Sequence, residues 1–310
     1  MISKRRIPQT DLAVSTLCLG TMTFGTPVGE AEAIRLTHWA IDQGINFIDT
    51  ANMYEGYTRR IGSAGGVAEQ ILGKALAGRR DRVVLATKLG MKVGSAPEDE
   101  GTSPAAIRKH LDNSLRRLAT DFVDIYYLHR PDPTVPLADV LTALSEAITQ
   151  GKIRHYGVSN YSAGQLAELL KTADQCHLPR PVIHQPPYSL LNRQIEADLL
   201  PLCQREAIAA APYQVLQGGL LTGKYRRGQA PSSDSRKAEK QEWVWDLTDS
   251  LFDRLEEIEN EARAKGRSML QHALLSALEK PAVVSLVVGA KRIDQTESLM
   301  CAIGGGSDEL

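Results

Sequence analysis

Short apolar runs alternate along the chain with longer segments in which apolar residues return every three or four positions. The runs cover 16–20, 46–49, 83–88, 123–128, 156–159, 182–185, 208–213 and 285–288, and several are apolar throughout. A strand covered on both faces by helices has this continuous character, so the pattern predicts a buried parallel sheet. The intervening segments carry helix signals. Ser103 and Pro104 supply an N-cap and a first helical residue, and Ile107, Leu111, Leu115 and Leu118 then recur on one face. A second stripe, Leu137, Val140, Leu141, Leu144 and Ile148, closes at Gly151, and a third runs through Leu251, Leu255, Ile258 and Ala262. Strands and helices in this alternation predict a single α/β domain over residues 1–310, a (β/α)8 TIM barrel, with a doubly wound open sheet as the alternative. Arg6–Ile7 and Leu12–Val14 flank a polar turn and predict a hairpin capping the bottom of the barrel, and the polar stretch 226–240 reads as a long top-face loop.

Composition narrows the class. Of 310 residues, 43% are hydrophobic and 24% charged, which places the chain among globular proteins rather than disordered ones. Lys and Arg number 36 against 37 Asp and Glu, a net charge of −1 that argues against a nucleic-acid surface. Cys18, Cys176, Cys203 and Cys301 form no Cys-x-x-Cys pair, so neither a disulfide framework nor a zinc cluster is expected. No metal-ligand spacing appears among the histidines. The basic start of the chain leads into no apolar h-region, and no run approaches the ~20 residues of a membrane span; a cytoplasmic protein with no membrane partner is expected.

In a barrel enzyme the chemistry is built at the carboxyl ends of the strands. There this sequence places Asp49, Lys88 and His129, with Tyr54 in the loop after Asp49. A charge at the end of an apolar strand needs a partner, because burying it alone is costly. A buried Asp49–Lys88 salt bridge and a core His129 would satisfy that requirement without any catalytic role. Together, however, the four suit proton transfer: an ammonium beside a phenol favours the phenolate and lowers its pKa, and a carboxylate keeps the lysine charged. A histidine alongside can hydrogen-bond the substrate oxygen, so the set suits protonating an oxygen as charge develops on it.

Further stretches carry a resemblance. They include Leu19-Gly20-Thr21-Met22-Thr23-Phe24-Gly25, the run from Gly44 to Ala51 followed by Tyr54, and Thr87-Lys88-Leu89-Gly90. Further on come Asp124-Ile125-Tyr126-Tyr127-Leu128-His129, Gly157-Val158-Ser159-Asn160 and Leu221-Thr222-Gly223-Lys224-Tyr225. In this order they make the chain similar to the aldo-keto reductase superfamily over nearly its whole length, closest in tone to the bacterial branch related to potassium-channel β-subunit-like reductases. The resemblance implies NADP(H)-dependent reduction of an aldehyde or ketone, with Asp49, Tyr54, Lys88 and His129 as catalytic residues and Tyr54 as proton donor. It also implies a cofactor held extended across the barrel mouth. Gly20, Thr21, Met22 and Asp49 would contact it, Ser159, Asn160 and Gln185 would meet its carboxamide, and Tyr213 would stack on its nicotinamide ring. Gln214, Leu216, Gly219, Leu221 and Lys224 would cover the pyrophosphate, although Gln214-Val215 replaces the family's usual Ser-Pro.

After the last strand, Gly289, Lys291 and Arg292 precede Gln295 at a helix start, an anion site that favours a 2′-phosphate and hence NADPH. Arg236 is a further candidate for that phosphate. Ser298 and Leu299 stand where the family often carries Glu and Asn, so adenine contacts are not expected there. Ser159 and Asn160 have a plain structural alternative, an N-cap of the following helix. No Rossmann glycine fingerprint is present, and the glycine-rich 62–66 follows no strand.

Two loops remain as specificity candidates. In 55–66 the glycines suggest mobility and Tyr57 a wall or lid; in 236–245, Trp243 and Trp245 offer an apolar face. The competing function is an NADP-binding redox sensor of the channel-subunit type with slow turnover. The short stretch before the first strand, too short for an inactivating segment, favours the enzyme. A small carbonyl compound is the expected partner, while its identity and the oligomeric state are not legible in the sequence.

Overall fold

The computed structural model describes residues 2–304. A hairpin opens the chain, with β1 (Lys4–Arg6) antiparallel to β2 (Ala13–Ser15). Eight further strands form one sheet: β3 (Leu17–Gly20), β4 (Phe47–Asp49), β5 (Val84–Leu89), β6 (Val123–Leu128), β7 (Ile153–Ser159), β8 (Ile183–Gln185), β9 (Ala209–Ala210) and β10 (Leu286–Gly289). From β3 to β9 each strand lies parallel to its successor, and β10 returns to pair with β3. A bridge between Ala210 and Val283, with the Ala210 amide donating to Ala282 O at 2.7 Å, closes the ring between β9 and the start of β10. The closed parallel ring with helices outside is the TIM barrel that the apolar pattern predicts.

The strands fall close to their expected places, with informative exceptions. β9 keeps only Ala209–Ala210 of the expected 208–213, because Pro212 has no amide to give to a ladder. β7 starts at Ile153, ahead of the expected 156, pairing with β6 from Val123 onward. Among the helices, α1 (Glu30–Asp42), α2 (Val67–Ala75) and α3 (Pro104–Leu118) cover successive strands. At the start of α3 the Ser103 hydroxyl accepts the Ala106 amide and Pro104 occupies the first turn. α4 (Leu137–Thr149), α5 (Ala163–Gln175) and α6 (Leu199–Arg205) continue the ring. The expected long loop 226–240 is not wholly irregular. Ser235 caps a short helix, α7 (Arg236–Glu239), before α8 (Asp249–Ala264), α9 (Met269–Leu278) and the final α10 (Ile293–Gly304).

Alternation along the strands sorts the core into layers. Cys18, Phe47, Ala86, Ile125, Tyr127 and Ile183 fill the barrel interior, while Leu19, Ile48, Leu85, Tyr126 and Leu128 face the helices. The hairpin's Ile7, Leu12 and Val14 join the interior cluster, and the Arg5 guanidinium donates to Leu278 O and Val283 O. That closes the barrel floor as expected. At mid-height Tyr127 needs room, and Gly157 on the neighbouring strand gives it. A Cβ at Gly157 would lie 2.6 Å from Tyr127 Cε1 and 2.7 Å from Ile183 O. We therefore expect Gly157→Ala to destabilise the fold by about 1–3 kcal/mol through overpacking. Urea denaturation checks this, and an unchanged midpoint would show that the interior yields freely.

Candidate active site

The same alternation that buries Phe47, Ala86, Tyr127 and Ile183 directs the residues two positions later into the barrel mouth. Those residues are Asp49 on β4, Lys88 on β5, His129 just after β6 and Gln185 on β8. Lys88 and Asp49 are 0% and 1% exposed, and Lys88 Nζ donates to Asp49 Oδ2 at 2.5 Å. It also donates to Thr50 O at 2.8 Å and to the Tyr54 hydroxyl at 3.3 Å, so each ammonium proton has a direction. The other carboxylate oxygen accepts from Gln185 Nε2 at 2.8 Å. Burial works against the charge on Lys88, but Asp49 and Tyr54 outweigh it and hold the lysine above its ordinary pKa.

Tyr54 is held by its backbone, whose carbonyl accepts the Ala68 amide of α2 at 3.0 Å. Its ring stands edge-on to His129, with centroids 6.1 Å apart. Charge alone predicts a lowered phenol pKa beside an ammonium. Instead burial raises the Tyr54 pKa, and Lys88 only limits the rise. The phenol therefore keeps its proton at neutral pH. Burial, reinforced by Lys88, Arg59 and Arg130, holds the His129 imidazole well below its usual pKa, hence neutral. Its Nδ1 is buried without a partner.

Beside this cluster, Ser159 ends β7 and donates to Gln185 O at 2.8 Å. Asn160 takes a left-handed turn (φ 61°) and spans the site edge, donating to His129 O at 2.8 Å and accepting from the Tyr213 hydroxyl at 2.7 Å. Neither residue caps α5. That role belongs to Ser162, paired with Gln165 in a capping box, so the structural alternative for Ser159 and Asn160 is set aside. Gly20 pairs with Gly289, the Thr21 hydroxyl donates to Asp49 O at 3.0 Å, and Met22 lies partly exposed beyond them.

A second polar centre lies across the mouth. Lys224 makes no ion pair or hydrogen bond among the described residues, and its pKa is lowered by burial and by the positive charges of Lys291 and Arg236. Its ammonium packs where a Cβ on Gly219 would stand, 2.8 Å from that position. Lys291 is bonded to Glu239 at 2.7 Å and to Asp234 O at 2.6 Å. The structure thus gathers Lys224, Lys291 and Arg236. It leaves half-exposed Arg292 paired with Asp234 and Asp294. Gln295 is engaged as a cap, its Oε1 accepting the Lys291 amide at 2.8 Å. Leu221 is wholly buried in an apolar cluster and Leu216, partly buried, packs on it, while Gln214 is exposed. Leu299 is likewise buried and offers no edge to an adenine.

The two specificity loops do meet. Tyr57 packs edge-on against Trp243 with centroids 5.2 Å apart, and the Arg236 guanidinium lies 5.8 Å over the Tyr57 ring. Tyr57 is 8% exposed, so it is a clasp between loops rather than a free lid. Two of the glycines of 55–66 answer close backbone contacts. Gly56 has φ 67°, and a Cβ there would stand 2.0 Å from Thr26 O; a Cβ on Gly65 would stand 2.2 Å from Asn52 O. Sequence reasoning missed Arg59, whose side chain crosses this loop, and the Thr50 carbonyl, which no side-chain motif could reveal.

Comparison with known proteins places the chain in a family. The model of the Aldo/keto reductase family matches residues 16–303. This chain belongs to the aldo/keto reductase family. Protein tas of Escherichia coli is 36% identical over 330 aligned positions, covering 94% of this chain and 90% of that protein. A probable voltage-gated potassium channel subunit beta of Arabidopsis thaliana is 32% identical, covering 96% and 90%. The structure of a glycerol dehydrogenase from Gluconobacter oxydans superposes with a TM-score of 0.80 at 29% identity, covering 97% and 90%. Family membership makes the protein an oxidoreductase. As in the sequence expectation, no helix among the described residues is long and apolar enough to cross a membrane.

The buried histidines of this aldo/keto reductase generate a pH prediction. His184, between the inward positions of β8, donates from Nε2 to Tyr161 O at 3.0 Å, and burial lowers its pKa to about 4. An unfolded histidine takes a proton near ~6.5, so below that pH the unfolded chain binds more protons than the native one. Stability is therefore full above ~6.5 and falls as the pH drops toward 4, with His129 acting in the same sense. We expect a lower urea midpoint at pH 5 than at pH 7.5, and a smaller difference in His184→Gln. Equal midpoints at the two pH values would mean that these imidazoles charge freely in the fold.

Proposed function

We propose that the protein is an NADP(H)-dependent reductase of an aldehyde or ketone, with Tyr54 as the proton donor. The observation that carries this reading is the single ammonium of Lys88 bonded at once to Asp49 and to the Tyr54 hydroxyl. The cofactor reading is supported by the donor set. Lys224, without an ion pair among the described residues and beside the charges of Lys291 and Arg236, offers a desolvated positive centre of the kind that phosphates seek. Lys224, Lys291 and Arg236 would take the phosphates, Gly219 leaving room for the lysine. Ser159, Asn160 and Gln185 would orient the nicotinamide amide, with Tyr213 against the ring and Gly20, Thr21, Met22 and Gly289 along the mouth. Bound there, the dinucleotide supplies the hydride for the carbonyl carbon.

The chain's own residues then account for the proton. Tyr54, kept protonated by burial, donates its hydroxyl proton to the carbonyl oxygen as negative charge grows on it. Lys88 stabilises the phenolate left behind, and Asp49, fixed by Gln185, keeps Lys88 charged. His129, neutral, is placed to hydrogen-bond the same oxygen rather than to compete for the proton. A second reading, a nicotinamide-binding redox sensor with slow turnover, is favoured by the similarity to the channel subunit. NADPH consumption across an aldehyde panel separates the two.

Loss of a positioned general acid costs on the order of 10²–10⁴ in rate. Tyr54→Phe should lose reduction to that extent while binding NADPH nearly as well, by fluorescence titration. More than a third of the activity remaining would refute Tyr54 as the donor. Lys291→Ala should weaken NADPH about tenfold, the scale of one charge-assisted hydrogen bond, and leave NADH almost unchanged. Equal losses for both dinucleotides would remove the 2′-phosphate from Lys291.

A further inference from the structure

The loop after β4 does not present an apolar wall to the proton donor. Tyr57 is turned away into its contact with Trp243, and Ile61 stands 85% exposed. What the loop sends back toward the mouth is Arg59. Its Nε donates to Met53 O at 3.0 Å, beside Tyr54 itself, and its Nη2 donates to Lys92 O at 2.8 Å, in the loop after β5. The guanidinium is thereby fixed between the two segments that bear Tyr54 and Lys88. Its Nη1 enters no hydrogen bond, and the residue forms no ion pair, among the described residues. The acid nearest in its own loop, Glu55, spends its carboxylate on the Ser63 hydroxyl and the Gly65 amide. On the other side Arg130, next to His129, is paired with Glu100 at 2.6 Å. The charge of Arg59 is also felt at the His129 ring, together with those of Lys88 and Arg130.

A half-buried guanidinium with its orientation fixed by backbone carbonyls and a donor edge free is built to receive an oxyanion. We propose that Arg59 receives an anionic group, a phosphate ester or a carboxylate, carried by the carbonyl substrate of the Tyr54 site; this rests on the reductase reading above.

The test uses substrate pairs that differ in that group: glyceraldehyde 3-phosphate against glyceraldehyde, and succinic semialdehyde against butanal. The wild-type protein should prefer the charged member of at least one pair about tenfold or more in kcat/KM, chiefly through KM, the size of a charge-assisted bond. The pair with the larger preference tells phosphate from carboxylate. In Arg59→Gln that ratio should fall toward one, and Arg59→Lys should restore part of it. Calorimetry with glycerol 3-phosphate and with succinate, against glycerol, gives a readout free of turnover, with NADP+ present to cover Lys224 and Lys291. Reduction of all four aldehydes without preference for charge, and no Arg59-dependent anion binding, would overturn the proposal and leave the reductase reading intact. Anion binding lost in Arg59→Gln, in a protein that reduces none of them, would sink the reductase reading and keep the receptor.

Discussion

The structure depends on a charge that cannot leave the barrel. Lys88 is sealed from solvent, and an ammonium there is tolerable only with partners in every direction. Asp49, the Thr50 carbonyl and the Tyr54 hydroxyl supply them, and Gln185 completes the carboxylate. Removing Asp49 or Lys88 alone would strand a buried charge, at a cost of about 3–5 kcal/mol. The site is therefore rigid by electrostatic necessity as well as by packing. The interior beneath it contributes too: Lys88 Nζ stands 5.9 Å over the Tyr127 ring, for which Gly157 makes room.

The same constraint fixes protonation states. Burial raises the phenol and depresses the imidazole, leaving a proton on Tyr54 and none on His129. Lys88 opposes the first effect without reversing it. In the proposed reduction the pair would thus serve less to ionise Tyr54 in the resting protein than to receive the charge left when the proton departs. Across the mouth a different economy applies. Lys291 is bound to Glu239, while Lys224 has no carboxylate partner among the described residues. A phosphate drawn there would displace or join Glu239, on the short helix whose Arg236 packs over the Tyr57 ring of the opposite loop.

Much of this was legible in the sequence because strands obey a period of two. Phe47 inside implies Asp49 inside, Ala86 implies Lys88, and Tyr127 implies His129. The apolar runs located the strands, and Ser103-Pro104 located a helix start. Pattern failed where geometry is set at long range. The Ser162-x-x-Gln165 spacing does mark the cap of α5, but nothing local tells that Gly56 and Gly65 answer close backbone contacts with Thr26 and Asn52. Nor does an alternation of charges reveal that burial outweighs an ammonium at Tyr54. Arg59 escaped for a related reason: its meaning lies in the carbonyls of Met53 and Lys92, which carry no signature in the sequence.

The central claim is that the Lys88–Asp49 pair sets the acidity of Tyr54 against the opposing effect of burial. Its most direct measurement is the alkaline titration of phenolate absorbance, taken as the difference between the protein and Tyr54→Phe. The Tyr54 midpoint should lie above that of an ordinary tyrosine. It should rise further in the same difference taken in an Asp49→Asn, Lys88→Met background, which removes both charges and strands neither. A midpoint that stays put or falls in that background would contradict the account.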